Sequence, residues 1–171
     1  MTDVLKAIKD RRSIRNFTNY DIPEDTEQRL AEALIWAPSA GNLQSRKFYF
    51  VRDDVMKMKL AAAALNQGFI ADAPLVVVGC TDSVIHSRYG QRGVDLYAIQ
   101  DVSASVMCMM LAAHDEGLGT VWVGAFREEE VTAALDLPTN LRPVAIVPVG
   151  RPARVPAPPP RVHLTEAIIK V

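Results

Sequence analysis

The stretch from Gly93 to Glu116 constrains the fold more than any other part of this chain. As a helix it would run about 36 Å. Val102, Val106, Met109, Met110 and Ala113 give it one apolar side, and Leu96, Ile99 and Ala104 leave little polar face elsewhere. A helix apolar nearly all round must be covered on several sides, by its own sheet or by a second subunit.

The rest of the chain offers material for that cover. Val4, Leu5 and Ile8 share one side of a short helix ending near Asp10. Ile22-Pro23-Glu24-Asp25 is a helix start, with proline preset for the first turn and acids near the positive end of the dipole. Leu30, Ala33, Leu34 and Ala37 form its apolar stripe, and Pro38 stops it. Lys47 to Val51 reads as a strand, Asp53 as the N-cap of a helix through Leu65, and Asn66-Gln67-Gly68 as its break. Leu75 to Gly79 is an unbroken apolar run, as a buried strand requires. Ser83 to Arg92 is polar and reads as a mobile loop. After the long helix, Gly117 is the stop, Thr120 to Val123 a strand, Glu128 to Leu135 a helix and Arg142 to Val149 the last strand. The order is α+β, with a small central sheet between helices and a single domain over residues 1–171.

Residues 151–171 stand apart. Arg151 to Arg161 contains five prolines and cannot form helix or central strand, so an extended arm is expected, partly polyproline II. It ends in Leu164 to Val171, apolar enough to need a docking place. Either the arm is exchanged between subunits or it folds back on its own body; the long apolar helix, which also asks for a partner, favours exchange.

With 171 residues there is enough chain to bury a core. A net charge of -1 argues against nucleic acid, which leaves a basic footprint over a whole face. Cys80 and Cys108 lie far apart in apolar surroundings and read as buried thiols of a reducing compartment. The start at Met1-Thr2-Asp3 predicts no signal peptide, and no apolar run is expected to reach a membrane span. The expected location is the cytoplasm.

Against this neutral background, Arg11-Arg12-Ser13-Ile14-Arg15 is a local basic cluster. Arginines after a helix are most often a solvated turn facing its negative end. Ser13 raises the other reading, because a hydroxyl beside forked cationic donors is what a phosphate site needs. Pro38-Ser39-Ala40-Gly41-Asn42-Leu43-Gln44 is equally ambiguous alone. As an ordinary helix-to-strand loop it needs no ligand. Yet its small residues let a backbone approach a ligand, and Asn42 and Gln44 each donate and accept. Together the two segments suit a flavin mononucleotide, one at the phosphate and the other at the polar edge of the ring.

Other motifs fail. Gly117-Leu118-Gly119 has Trp122 where a dinucleotide fingerprint needs its third glycine, and it follows a helix instead of a strand. Ala37 replaces the first glycine of a nucleophile elbow around Ser39. His86, His114 and His163 have no metal spacing. His114 is better placed as a dipole partner. Without a nucleophile or metal set, an organic cofactor would have to supply the chemistry.

The same segments resemble the nitroreductase family of FMN-dependent flavoenzymes. The resemblance rests on Arg11 to Arg15, Pro38 to Gln44, Asp72-Ala73-Pro74, Gly117 to Phe126, and Val149-Gly150-Arg151-Pro152, and spans nearly the whole chain. It implies an intertwined homodimer, a three-layer α/β/α fold with a mixed central sheet, long helices at the interface and exchanged C-terminal arms. Arg11 and Ser13 then match residues that hold the FMN phosphate and ribityl end, with Arg12 contributing partly through its backbone. Arg15 matches the cation near the N1–O2 edge, where reduction leaves negative charge. Asn66 matches a polar contact to the pyrimidine edge. Pro38, Ser39, Ala40, Gly41, Asn42 and Gln44 match the segment that reaches the flavin from the other subunit. Gly124 and Ala125 match backbone facing the N5–O4 edge. Arg161 is the candidate for a tail cation at the phosphate, with Arg154 as its rival.

The implied activity is ping-pong transfer of hydride from NADH or NADPH to the flavin N5, and then to a small-molecule oxidant such as a nitroaromatic or a quinone. Ser45-Arg46 departs from the family's usual Pro-Trp and is expected to alter a pair of residues beside the cofactor. Two alternatives stand beside this reading. One is a non-catalytic FMN-binding protein for storage or sensing; the other is a specialised flavin reaction such as reductive dehalogenation or flavin fragmentation.

Overall fold

The structure, a computed structural model, describes residues 3–171. Met1 and Thr2, part of the start on which the absence of a signal peptide was expected, lie outside them. Helix α1 (Val4–Asp10) begins where the Asp3 carboxylate accepts the Leu5 amide at 2.9 Å. It buries Ala7, while Val4, Leu5 and Ile8 face outward. Helix α2 (Glu24–Trp36) starts from Pro23, carries three acids in its first turn and buries Leu30 and Leu34. Strand β1 (Arg46–Val51) follows, then α3 (Asp54–Ala63), capped by Asp53 accepting from the Met56 amide at 2.8 Å. The break after α3 is made by Leu65 and Asn66, both with positive φ. A one-turn helix α4 (Phe69–Asp72) fits before β2 (Leu75–Asp82).

The segment from Ser83 to Arg92 is helical and not the loop its polarity suggested. A 3-10 turn over Ser83–Ile85 leads into α5 (His86–Arg92), a π turn over Gly93–Tyr97 and then α6 (Ala98–Asp115). The Asp82 carboxylate starts it by accepting the Val84 amide at 3.0 Å, Ile85 is fully buried, and Gly90 supplies a kink at φ 57°. Polar side chains simply cover its outer side. This extension also corrects the expectation about membrane length, since Ser83–Asp115 contains a window of mean hydropathy 1.4 long enough to span a bilayer. Part of that apolar surface is spent on the core: Val102, Val106, Met109, Met110 and Ala113 are all buried.

Strand β3 is only Gly119–Thr120, shorter than expected; Val123 adds one isolated bridge to Ile146. Helix α7 (Glu128–Leu135), strand β4 (Leu141–Gly150) and a terminal turn α8 (Leu164–Ala167) complete the order. The sheet order is β1-β2-β4-β3 with every strand pairing antiparallel, and its parallel component is confined to a bridge between Ser13 and Thr120. Alternation along the central strands divides the core. Val76, Val78 and Ile146 face α3, α4 and α7 with Leu60, Ile70 and Val131. Val77, Val147 and Val149 face α2 and α6 with Leu30, Leu34, Val106 and Met109. The result is three layers, helices on both sides of a small sheet. Cys80 is buried in the first cluster, while Cys108 on α6 is only half-buried, and both are free.

Candidate functional site

Ser13 and Ile14 are drawn onto the sheet edge, where the Ile14 amide donates to Thr120 O at 2.9 Å. Gly119 permits this approach; a Cβ there would stand 2.5 Å from Ile14 Cγ1. The Arg11–Arg15 segment is thereby fixed beside the C-terminal end of α6. The arm is laid against the same edge by Phe17 pairing with Pro152 and by Ala153 donating to Asn16 O at 2.9 Å. Its continuation closes a cleft of about 210 Å³ lined by Arg11, Arg12, Ser13, Arg15, Pro156, Ala157, Pro159 and Arg161. Between the two tail cations, therefore, Arg161 stands at the cluster and Arg154 does not. As far as Arg161 the arm lies on its own body, while Ile169 beyond it is 84 % exposed.

Arg11, Arg12, Arg15 and Arg161 have no carboxylate at ion-pair distance among the described residues. Arg12 turns back to cap α1, its Nη1 donating to Lys9 O at 2.6 Å and Arg11 O at 2.9 Å. Arg11 is held differently: its Nη1 is buried and has no partner among the described residues. Burial and then the charges of Arg161 and Arg12 push its pKa below the ordinary arginine value. A half-buried cation with one nitrogen cut off from water, set among like charges, is a standing cost unless an anion meets it. The donor set, a fork plus the Ser13 hydroxyl, fits a phosphate dianion.

Beyond the cleft, the Arg15 guanidinium lies 5.8 Å from the centre of the Phe69 ring. This connects the cluster to the turn after α3, where Asn66 is exposed with φ 61°. Gln67, which the sequence reading passed over, ties this turn to the neighbouring loop: its Nε2 donates to Ala64 O at 2.9 Å and to Ala125 O at 3.3 Å. Arg127 fixes the same loop by donating to Ala62 O and Ala63 O through Nη2 and its amide. Gly124 and Ala125 are exposed between these ties. Arg11, Ser13, Arg15, Asn66, Gly124 and Ala125 thus belong to one side of the molecule.

Pro38 to Gln44 does not join them within one chain. This loop packs on the opposite end of α6, where Asp101 Oδ1 accepts the Ala40 amide at 2.9 Å. From Asp101 to the end of α6 is about 21 Å of helix. Ser45 and Arg46, which follow this loop, are both buried.

Comparison with known proteins agrees with this fold. The nitroreductase family model matches residues 8–151, and the chain belongs to that family. It is 30% identical over 175 residues to an FMN reductase (NAD(P)H) of Bacillus subtilis, covering 94% of this chain and 70% of that protein. It is likewise 30% identical over 197 residues to an NADH dehydrogenase of Thermus thermophilus, covering 98% and 95%. Among solved structures, the NADPH:FMN oxidoreductase of Vibrio harveyi, complexed with NAD+, superposes with a TM-score of 0.91. That pair shares 26% identity over 99% of this chain and 77% of the other.

Proposed function

We propose that this protein is an FMN-dependent oxidoreductase that draws on NADH or NADPH and serves a small oxidant such as a quinone or nitroaromatic. The observation that carries the reading is the buried Arg11 Nη1, which has no partner among the described residues, in a cleft whose guanidiniums have no carboxylate partner among them. Arg11, Ser13 and Arg161 would hold the phosphate, with charge-assisted bonds contributing about 1.5–3 kcal/mol each. Bound FMN supplies the hydride chemistry that no side chain here can perform. Arg15, over the Phe69 ring, would stand as a cation beside the flavin ring and favour negative charge that develops there. Asn66 and the exposed backbone of Gly124 and Ala125 offer donors and acceptors to the polar ring edges. Pro38 to Gln44, about a helix-length away in its own chain, would complete the site of a second subunit, which makes the working unit a homodimer.

Reductant and oxidant would use one open face in turn, because no dinucleotide fingerprint provides a separate nucleotide site. Steady-state rates at several oxidant concentrations should therefore give parallel double-reciprocal lines. The first test is the absorption spectrum of freshly purified protein, with the cofactor released and identified. Yellow protein carrying about one FMN per chain supports the reading. Protein that is colourless and takes up no added FMN would sink it. Stopped-flow reduction by NADH and NADPH separates an enzyme from a storage protein, which would bind flavin but reduce it very slowly. Replacing Arg15 with alanine should lower the bound flavin's reduction potential more than its affinity, measured by spectroelectrochemistry.

A further inference from the structure

The Pro38–Gln44 loop holds an unusual backbone. Gly41, Asn42 and Gln44 have φ of 56°, 56° and 52°, so two residues with side chains occupy the left-handed region. Such geometry persists where the surroundings over-determine it. The loop's own short bonds are few: the Asn42 amide to Ser39 O, the Leu43 amide to Ala40 O and the Gln44 amide to Ser39 Oγ, with longer contacts from Gln44 Nε2 to Asn42 O at 3.4 Å and Asn42 Oδ1 at 3.5 Å.

The rest of the restraint comes from beneath. Arg46 is only 6% exposed, and its guanidinium donates to Ala37 O at 2.7 Å, Pro38 O at 2.9 Å and Ile35 O at 3.2 Å. These carbonyls lie where α2 ends and leaves its last acceptors unpaired. A longer contact of 3.4 Å reaches Asp101 O. The Asp101 side chain, in turn, accepts the Ala40 amide, as described above. On a third side Gly41 lies under Tyr89, where a Cβ would stand 2.5 Å from the phenolic oxygen. One buried cation and one buried carboxylate thus grip the same short loop at Pro38 and Ala40.

We propose that Arg46 and Asp101 are positioning residues for the ligand-facing loop, and that their grip sets how tightly a flavin ring is held. This rests on the proposed function, in which the loop serves the ring end of a flavin site. Arg46 and Asp101 act through the backbone of Ala37, Pro38 and Ala40, and misplacing such a loop by a fraction of an ångström weakens everything it contacts.

The test compares binding of FMN and of riboflavin, by quenching of flavin fluorescence, to wild-type protein, R46M, R46K and Asp101→Ala. Melting temperature and oligomeric state are recorded for each. Riboflavin lacks the phosphate, so it reports the ring end alone. R46M and Asp101→Ala are expected to weaken both flavins by the same factor, roughly tenfold or more. R46K, which can reach some of the same carbonyls, should recover part of the loss. If R46M does not fold, Asp101→Ala decides. A variant that melts lower but binds both flavins like wild type would show that Arg46 merely caps α2, and would overturn the proposal. So would loss of FMN affinity with riboflavin unaffected. Wild-type protein that binds neither flavin removes the proposed function and this inference with it, whereas wild-type binding that the variants retain removes this inference alone.

Discussion

Arg11 is where a structural cost and a binding function meet in one side chain. Its Nη1 is buried without a partner and repelled by Arg161 and Arg12, so the ligand-free protein carries an unbalanced charge. Arg11→Met is therefore expected to leave the melting temperature of apo protein unchanged or higher. The same change should weaken FMN by about 10- to 100-fold and spare riboflavin. Added FMN would then raise the melting temperature much less than in wild type, as linkage requires. A lower apo melting temperature with full FMN affinity would contradict this. At Cys80, burial pushes the thiol pKa up to about 12. Because only thiolate reacts, a disulfide reagent should label Cys80 only after unfolding. The residue types of the cluster were legible in sequence, since forked donors beside a hydroxyl have few uses. Whether Arg161 or Arg154 reached them was not, because a proline-rich arm sets no register of its own.

Strands and helices bring these residues together, and two junctions can be tested. At the edge formed by β3, Gly119 lets Ile14 pass close enough to pair with Thr120. Gly119→Ala would press a methyl against Ile14 and Pro152, costing about 1–3 kcal/mol by denaturant titration. It should also displace Ser13 and so reduce FMN affinity. Between α7 and β4, Arg142 Nε and Nη2 hold both Glu128 oxygens at 2.8 and 2.7 Å. Hydrogen bonding to Arg142 lowers the Glu128 pKa below its ordinary 4.5. A lowered carboxylate pKa gives stability that is present above the ordinary value and lost as pH falls through the lowered one. The melting-temperature gap between wild type and Arg142→Met should thus be small, since both groups are half-exposed, and should close as pH falls below Glu128's ordinary 4.5. Apolar period and caps announced α2, α3, α7 and the central strands. The helix from His86 to Arg92 escaped that reading, because its fixing contacts, Asp82 at its start and buried Ile85, carry no periodic signal.

Across the whole molecule, α6 carries Met107 on its outer side and Leu111 and Cys108 half-covered, and the arm ends in exposed Leu164, Ile168 and Ile169. Under the proposed homodimer, these surfaces are buried between subunits. Light scattering should give twice the chain mass, and Met107→Arg should yield monomers that bind flavin poorly, since Pro38 to Gln44 would no longer face a second chain. Monomeric wild-type protein with full flavin affinity would refute the shared site. By itself the sequence determined the α+β order, the buried helix, the basic cluster and the extended arm. Those follow from local rules: period, caps, proline and charge. Only the tertiary structure decided that one Arg11 nitrogen is shut off from solvent, that Gln67 holds Ala125, that Arg46 turns inward, and that one chain keeps its two candidate ligand segments at opposite ends of α6. Each depends on residues far apart in the chain meeting at one place, and burial and distance are properties of the folded packing that no local pattern encodes.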